Sequence, residues 1–160
     1  PDISDEEIKR ALIWKNDYAK KTGFNLSITT QFVFEASPVI DWERKIRIEG
    51  NNLPIRIGVP GLATIKTLLN HARACGVGPS MRFLTRQAKN VAKLVQTSSP
   101  DTLLFDLAEQ GMSNESLIHG IHVYPLGGLK KSSAWFAAVG DGNYNLDRDK
   151  KEMKLLESVG

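Results

Sequence analysis

Thr29-Thr30-Gln31-Phe32-Val33-Phe34-Glu35, followed by Ala36-Ser37-Pro38-Val39-Ile40-Asp41-Trp42-Glu43, is the stretch on which the fold turns. β-Formers run from Thr29 to Phe34 and alternate, with Gln31, Val33 and Glu35 on one side and Thr30, Phe32 and Phe34 on the other. Ser37 then stands at a helix N-cap position with Pro38 at the first helical residue, which starts a helix that runs to Gly50. Strand followed directly by helix is one half of a βαβ unit. Gln31 is the anomaly in it. A carboxamide buried without partners costs about 1–3 kcal/mol by mutational data. Either a neighbouring strand satisfies it or a ligand does.

The same pattern repeats outward in both directions. Ser4 and Glu7 form a capping box, so a helix begins near Asp5, carries Ile8, Leu12 and Tyr18 on its apolar side and ends at Lys20-Lys21 and Gly23. A strand is expected over about 26–34, a second over Leu53–Val59 and a third over Gly120–Leu126. Helices are expected over about 64–74, Met81–Val95, Pro100–Glu109 and 129–139. Residues 141–160 read as a turn and a charged tail with helical character. Apolar strands alternating with helices predict parallel βαβ units, an α/β fold.

The 160 residues are 41% hydrophobic and 24% charged, which suits one globular domain, here residues 1–140 with the tail attached. The net charge of +3 comes from scattered basic residues, so an anionic small ligand fits as well as nucleic acid, and no nucleic-acid partner is expected. A single cysteine, Cys75, excludes an intrachain disulfide, and with three histidines it leaves no case for a metal site. No apolar run approaches the roughly 20 residues of a membrane span, and no signal-peptide pattern is present, so no membrane partner and a cytoplasmic setting are expected. The chain opens at Pro1 without a methionine and offers three strands for many helices. Both features read as the interior of a longer polypeptide whose earlier strands lie upstream.

In parallel α/β folds ligands meet the carboxyl ends of the strands. Those ends carry Gln31 and Glu35, then Gly58-Val59-Pro60-Gly61, then Tyr124-Pro125-Leu126-Gly127-Gly128. The glycines at 58–61 allow close approach to the backbone. His71 reads as structural or surface, His122 as internally hydrogen-bonded, and Trp14, Trp42 and Trp135 as helix packing. No Ser/His/Asp triad, metal cluster or phosphate fingerprint appears.

The run from Ile28 to Gly61, followed by Ile118-His119-Gly120-Ile121-His122-Val123-Tyr124-Pro125-Leu126-Gly127-Gly128, resembles the C-terminal part of methylenetetrahydrofolate reductases. That family carries Thr-Gln-Phe-x-Phe-Asp/Glu on its sixth strand and a His-Phe-Tyr-x-Leu pattern on its eighth. The resemblance covers the chain to about Val139. It implies the C-terminal portion of a TIM (β/α)8 barrel with parallel strands, comprising the last three βα units and the helix before them. It also implies FAD-dependent reduction of 5,10-methylenetetrahydrofolate to 5-methyltetrahydrofolate, with NAD(P)H as co-substrate. Gln31, Thr67 and His71 would then bind the folate substrate. Asn16, Lys20 and Tyr124 would bind FAD, with Lys15 the alternative on the same helix. The family's catalytic acid and flavin-tuning aspartate have no counterpart here and are expected upstream of Pro1, so turnover is expected only with the missing N-terminal barrel half. The partner would be that half or a further copy in a homo-oligomer. Where the family continues Tyr-x-Leu with Asn-Arg, this chain has Gly127-Gly128. The rival reading is a non-catalytic half-barrel that serves binding or assembly.

Overall fold

The computed structural model describes residues 3–76, 94–111 and 113–156. In chain order the elements are α1 (Asp5–Thr22), β1 (Ile28–Phe32), α2 (Ala36–Ile48), β2 (Ile55–Pro60), β3 (Ala63–Thr64), α3 (Ile65–Ala74), β4 (Thr97–Ser98), α4 (Asp101–Asp106), β5 (Ile118–Tyr124), α5 (Leu129–Gly140), β6 (Tyr144–Asp147) and β7 (Glu152–Leu155). A wider π-helical turn, Leu107–Gly111, continues α4. The helix expected over Met81–Val95 falls mainly outside the described residues.

β1, β2 and β5 form a parallel sheet in that order, with β2 central. Ile55, Ile57 and Val59 of β2 are completely buried and pack with Val39, Ile40 and Ile46 of α2 and Leu103 and Leu107 after β4. The opposite face holds Phe32 and Phe34 against Ala63, Ile65, Leu68, Leu69 and Ala72 of the β3–α3 segment. Each fully buried aliphatic or phenyl side chain contributes about 1.5–3 kcal/mol of transfer free energy. These two clusters are what the alternating strands build.

Two other strand pairs are antiparallel: β3 with β4, and β6 with β7. The chain is therefore a small α/β domain, a three-stranded parallel sheet with two antiparallel pairs. It is not the C-terminal portion of a TIM barrel with parallel strands that the sequence led us to expect. The tail shows why. Tyr144, Leu146, Met153 and Leu155 recur at a spacing of two within their segments, and the alternation makes a hairpin rather than a helix. Its turn is tied by the Lys150 N–H donating to Asp147 Oδ1 (3.1 Å), with Lys151 at φ 52°. The hairpin then docks on α4, where Lys151 Nζ meets Asp106 Oδ1 at 2.5 Å and the Met153 N–H donates to Asp101 Oδ2 at 3.2 Å.

Helix starts also differ in detail. α1 begins as read, with Ser4 accepting from the Glu7 N–H and Glu7 reaching back to the Ser4 N–H at 2.9 Å. α2 begins at Ala36 with Glu35 in the cap position and no side-chain cap bond, two residues ahead of the Ser37 cap expected. No described helix is long and apolar enough to cross a membrane.

Candidate functional site

The carboxyl end of β1 is irregular. Thr29 pairs with Arg56 and Phe32 with Gly58, so three steps on β1 match two on β2, and the extra residue is a bulge at Thr30-Gln31. Side chains supply the hydrogen bonds that the ladder loses there. The Gly58 N–H donates to Thr30 Oγ1 (2.9 Å) and the Phe32 N–H donates to Gln31 Oε1 (3.1 Å). Gln31 is thus an exposed residue at a bulge, not the buried strand amide the alternation suggested. Its carbonyl oxygen serves Phe32, and its Nε2 has no hydrogen bond among the described residues.

β1 is an edge strand. Beside it lies an open groove of about 660 Å³ between α1 and α2. Glu7, Lys15, Thr29, Thr30 and Gln31 are its polar lining, and Ile8, Leu12, Val33 and Trp42 supply apolar wall. A mostly apolar cleft with a few convergent polar groups suits a flat heterocycle or an extended chain.

Tyr124 lies on the other side of the bulge. Its hydroxyl donates to the Thr30 carbonyl at 3.0 Å, so its ring crosses β2 over Gly58 and meets Phe32 edge-on at 5.7 Å. A Cβ on Gly58 would come within 2.6 Å of Thr30 O and 2.7 Å of Tyr124 Cε2. The close approach signalled by that strand glycine is therefore made by Tyr124 itself. His122 is exposed and edge-on to Tyr124 at 4.8 Å, with no hydrogen bond among the described residues, contrary to the internal bond expected.

The remaining residues singled out do not converge on the groove. Asn16 donates to Leu12 O and Asn51 Oδ1 (both 2.8 Å) and accepts from the Asn52 N–H (2.9 Å), so its amide joins α1 to the turn that precedes β2. That turn is at the amino end of β2, whereas Tyr124 is at the carboxyl end of β5. Lys20 is exposed near the end of α1. Thr67 pairs its hydroxyl with Thr64, the N-cap of α3, at 2.9 Å, and His71 is half-buried one turn later. Asn16 and Tyr124 thus stand toward opposite ends of the sheet, with Lys20 exposed near the end of α1. Of the flavin-side candidates on α1, it is Lys15 that lines the groove with Gln31.

A side chain at Gly127 would overlap the backbone of Leu62 and Ala63, so the loop after β5 closes only with glycine there. Thr30, which holds both Gly58 and Tyr124, was not singled out from the sequence. A threonine beside a strand glycine was the one signal available. Among the described residues no group of three or more His, Cys, Asp or Glu side chains could hold a metal ion. No known family model matches the chain.

Proposed function

We propose that the groove beside β1 is the folate-binding face of a flavin-dependent methylenetetrahydrofolate reductase that uses NAD(P)H. The observation that carries this reading is Gln31 at the β1 bulge, whose Nε2 has no hydrogen bond among the described residues, lining a mostly apolar groove with Trp42 and Val33. A carboxamide presents both a donor and an acceptor to a pterin edge, and the apolar walls take its planar faces. The resemblance through Thr30-Gln31-Phe32-Val33-Phe34-Glu35 and Tyr124 supports it. Within this reading Tyr124 positions the bulge through Thr30, and Lys15 lines the same groove as Gln31. Thr67 and His71 would stand at the far side of the sheet end.

Calorimetric titration with 5-methyltetrahydrofolate tests the reading. The chain should bind it, and Gln31→Ala should weaken binding about tenfold or more, the cost of one lost hydrogen bond with its partner left unpaired. Binding that is absent or unchanged in Gln31→Ala overturns the assignment. The isolated chain should show no NAD(P)H-dependent turnover, because the family's catalytic acid and flavin-tuning aspartate have no counterpart in it. Turnover, or flavin absorbance travelling with the purified chain, would overturn that part.

The second reading, a non-catalytic binding or assembly module, is favoured by the edge of β1, which pairs with no other strand among the described residues. A strand added to a sheet edge with an apolar groove beside it is a common recognition mode. A folate-blind chain that captures an extended peptide at β1 would establish it instead.

A further inference from the structure

We propose that the cleft between β5 and α5 is a binding site for a small organic carboxylate, with Arg56 and His122 holding the acid group and α5 covering its apolar body. The cleft lies at the opposite edge of the sheet from the groove beside β1, and the inference is independent of the folate reading.

Arg56 is the one exposed residue of β2, a strand otherwise buried throughout. It makes no ion pair among the described residues. The β2–β5 ladder sets Arg56 opposite Gly120 and sets His122, two residues further along β5, opposite Gly58. Alternation therefore puts Arg56 and His122 on one face of the sheet as diagonal neighbours. Gly120 keeps the space beside them open. Its φ is not positive, so no turn demands a glycine there, and a Cβ on it would meet nothing within 4 Å.

Both side chains line a cleft of about 310 Å³. Its apolar wall comes from Ile121 and Val123 of β5 and from Leu129 and Phe136 of α5. Leu129 and Phe136 stand about two turns apart on one side of the helix, and they are 73% and 48% exposed. Apolar walls with a few convergent polar groups are the ordinary make-up of a small-molecule site.

Charge identifies the occupant. Among the described residues no Asp or Glu lines the cleft, so nothing there neutralises Arg56. A guanidinium offers a planar fork of N–H donors that fits a carboxylate in a bidentate way, and the imidazole of His122 adds a further N–H. An inorganic anion would use that fork and leave Leu129 and Phe136 in water. An organic acid satisfies the fork and covers both side chains, and burying apolar area is the larger gain.

The test is an amide NMR titration of the full chain with phenylacetate, against phenylacetamide and inorganic phosphate. Phenylacetate should give saturable shifts at Gly120–Val123 and along Leu129–Phe136, and both controls should bind about tenfold or more weakly. Arg56→Gln, at an exposed site, should keep the same circular dichroism and remove the advantage of the acid over the amide. Gly120→Val fills the open space from a strand position and should abolish the shifts by a separate route. Phenylacetate shifts that are absent, or confined to the groove around Gln31, overturn the proposal. So does equal binding of either control, or binding unchanged in Arg56→Gln or Gly120→Val.

Discussion

At Glu43 a carboxylate that is 2% exposed anchors two elements at once. Its Oε1 accepts from Arg47 Nε at 3.0 Å and from the Leu117 N–H at 3.1 Å, so a side chain of α2 fixes the start of β5. Removing one partner of a buried charged hydrogen bond costs far more than the pair contributes net, because the other groups are stranded. Glu43→Ala should destabilise the domain by about 2–4 kcal/mol in urea unfolding, whereas Glu43→Gln, whose amide oxygen still accepts from Leu117, should lose less. Equal effects from the two changes would show that packing volume, not the acceptor, matters here. In the sequence Glu43 looked like any acid of an amphipathic helix. Only the arrival of Leu117, 74 positions away, makes it a core residue.

Among the elements, α1 is held least. Its burial is slight, and its polar connection to the rest runs through Asn16 to Asn51 and Asn52, where Asn51 is itself buried and donates to Leu53 O at 3.1 Å. Helical stability in proteins comes mainly from tertiary packing, so a helix with no buried residue depends strongly on such joints. Asn16→Ala should raise amide exchange across α1 by about tenfold or more while exchange in β2 and α2 is unchanged. Uniform acceleration would mean that α1 unfolds only with the whole domain. This places Asn16 as a structural joint in the free chain, a role that its i, i+4 spacing to Lys20 did not reveal.

On the scale of the whole molecule, the hairpin β6–β7 closes the fold against α4 with charged contacts, and pH bounds it from both sides. The Asp106 carboxylate, by hydrogen bond and charge, holds the Lys151 amine above its ordinary 10.5. A raised amine stabilises the fold fully below its unfolded value and loses that contribution as pH rises through its folded value. The Lys150 N–H and side chain hold Asp147 below its ordinary 3.8, and a depressed carboxyl stabilises above that value and loses the contribution as pH falls through its folded one. The melting temperature should therefore decline above about pH 10.5 in the wild type, and Lys151→Met should remove that alkaline component. An identical alkaline profile in Lys151→Met would place the loss elsewhere.

Local patterns in the sequence were enough for the parallel strands and for most of the helices. Apolar alternation over β1, β2 and β5 and the Ser4–Glu7 capping box act over a few residues, and neighbours along the chain determine them. The sequence also placed Gln31 and Tyr124 at strand ends. Only the tertiary structure set the bulge at Thr30-Gln31, which turns Gln31 from a buried amide into an exposed one. Register between strands depends on residues far apart in the chain, here Thr30 with Gly58 and Tyr124. The tertiary structure also set the direction of the tail strands. Period-two spacing specifies a strand but not its partner, and contacts with α4 supplied the partner surface.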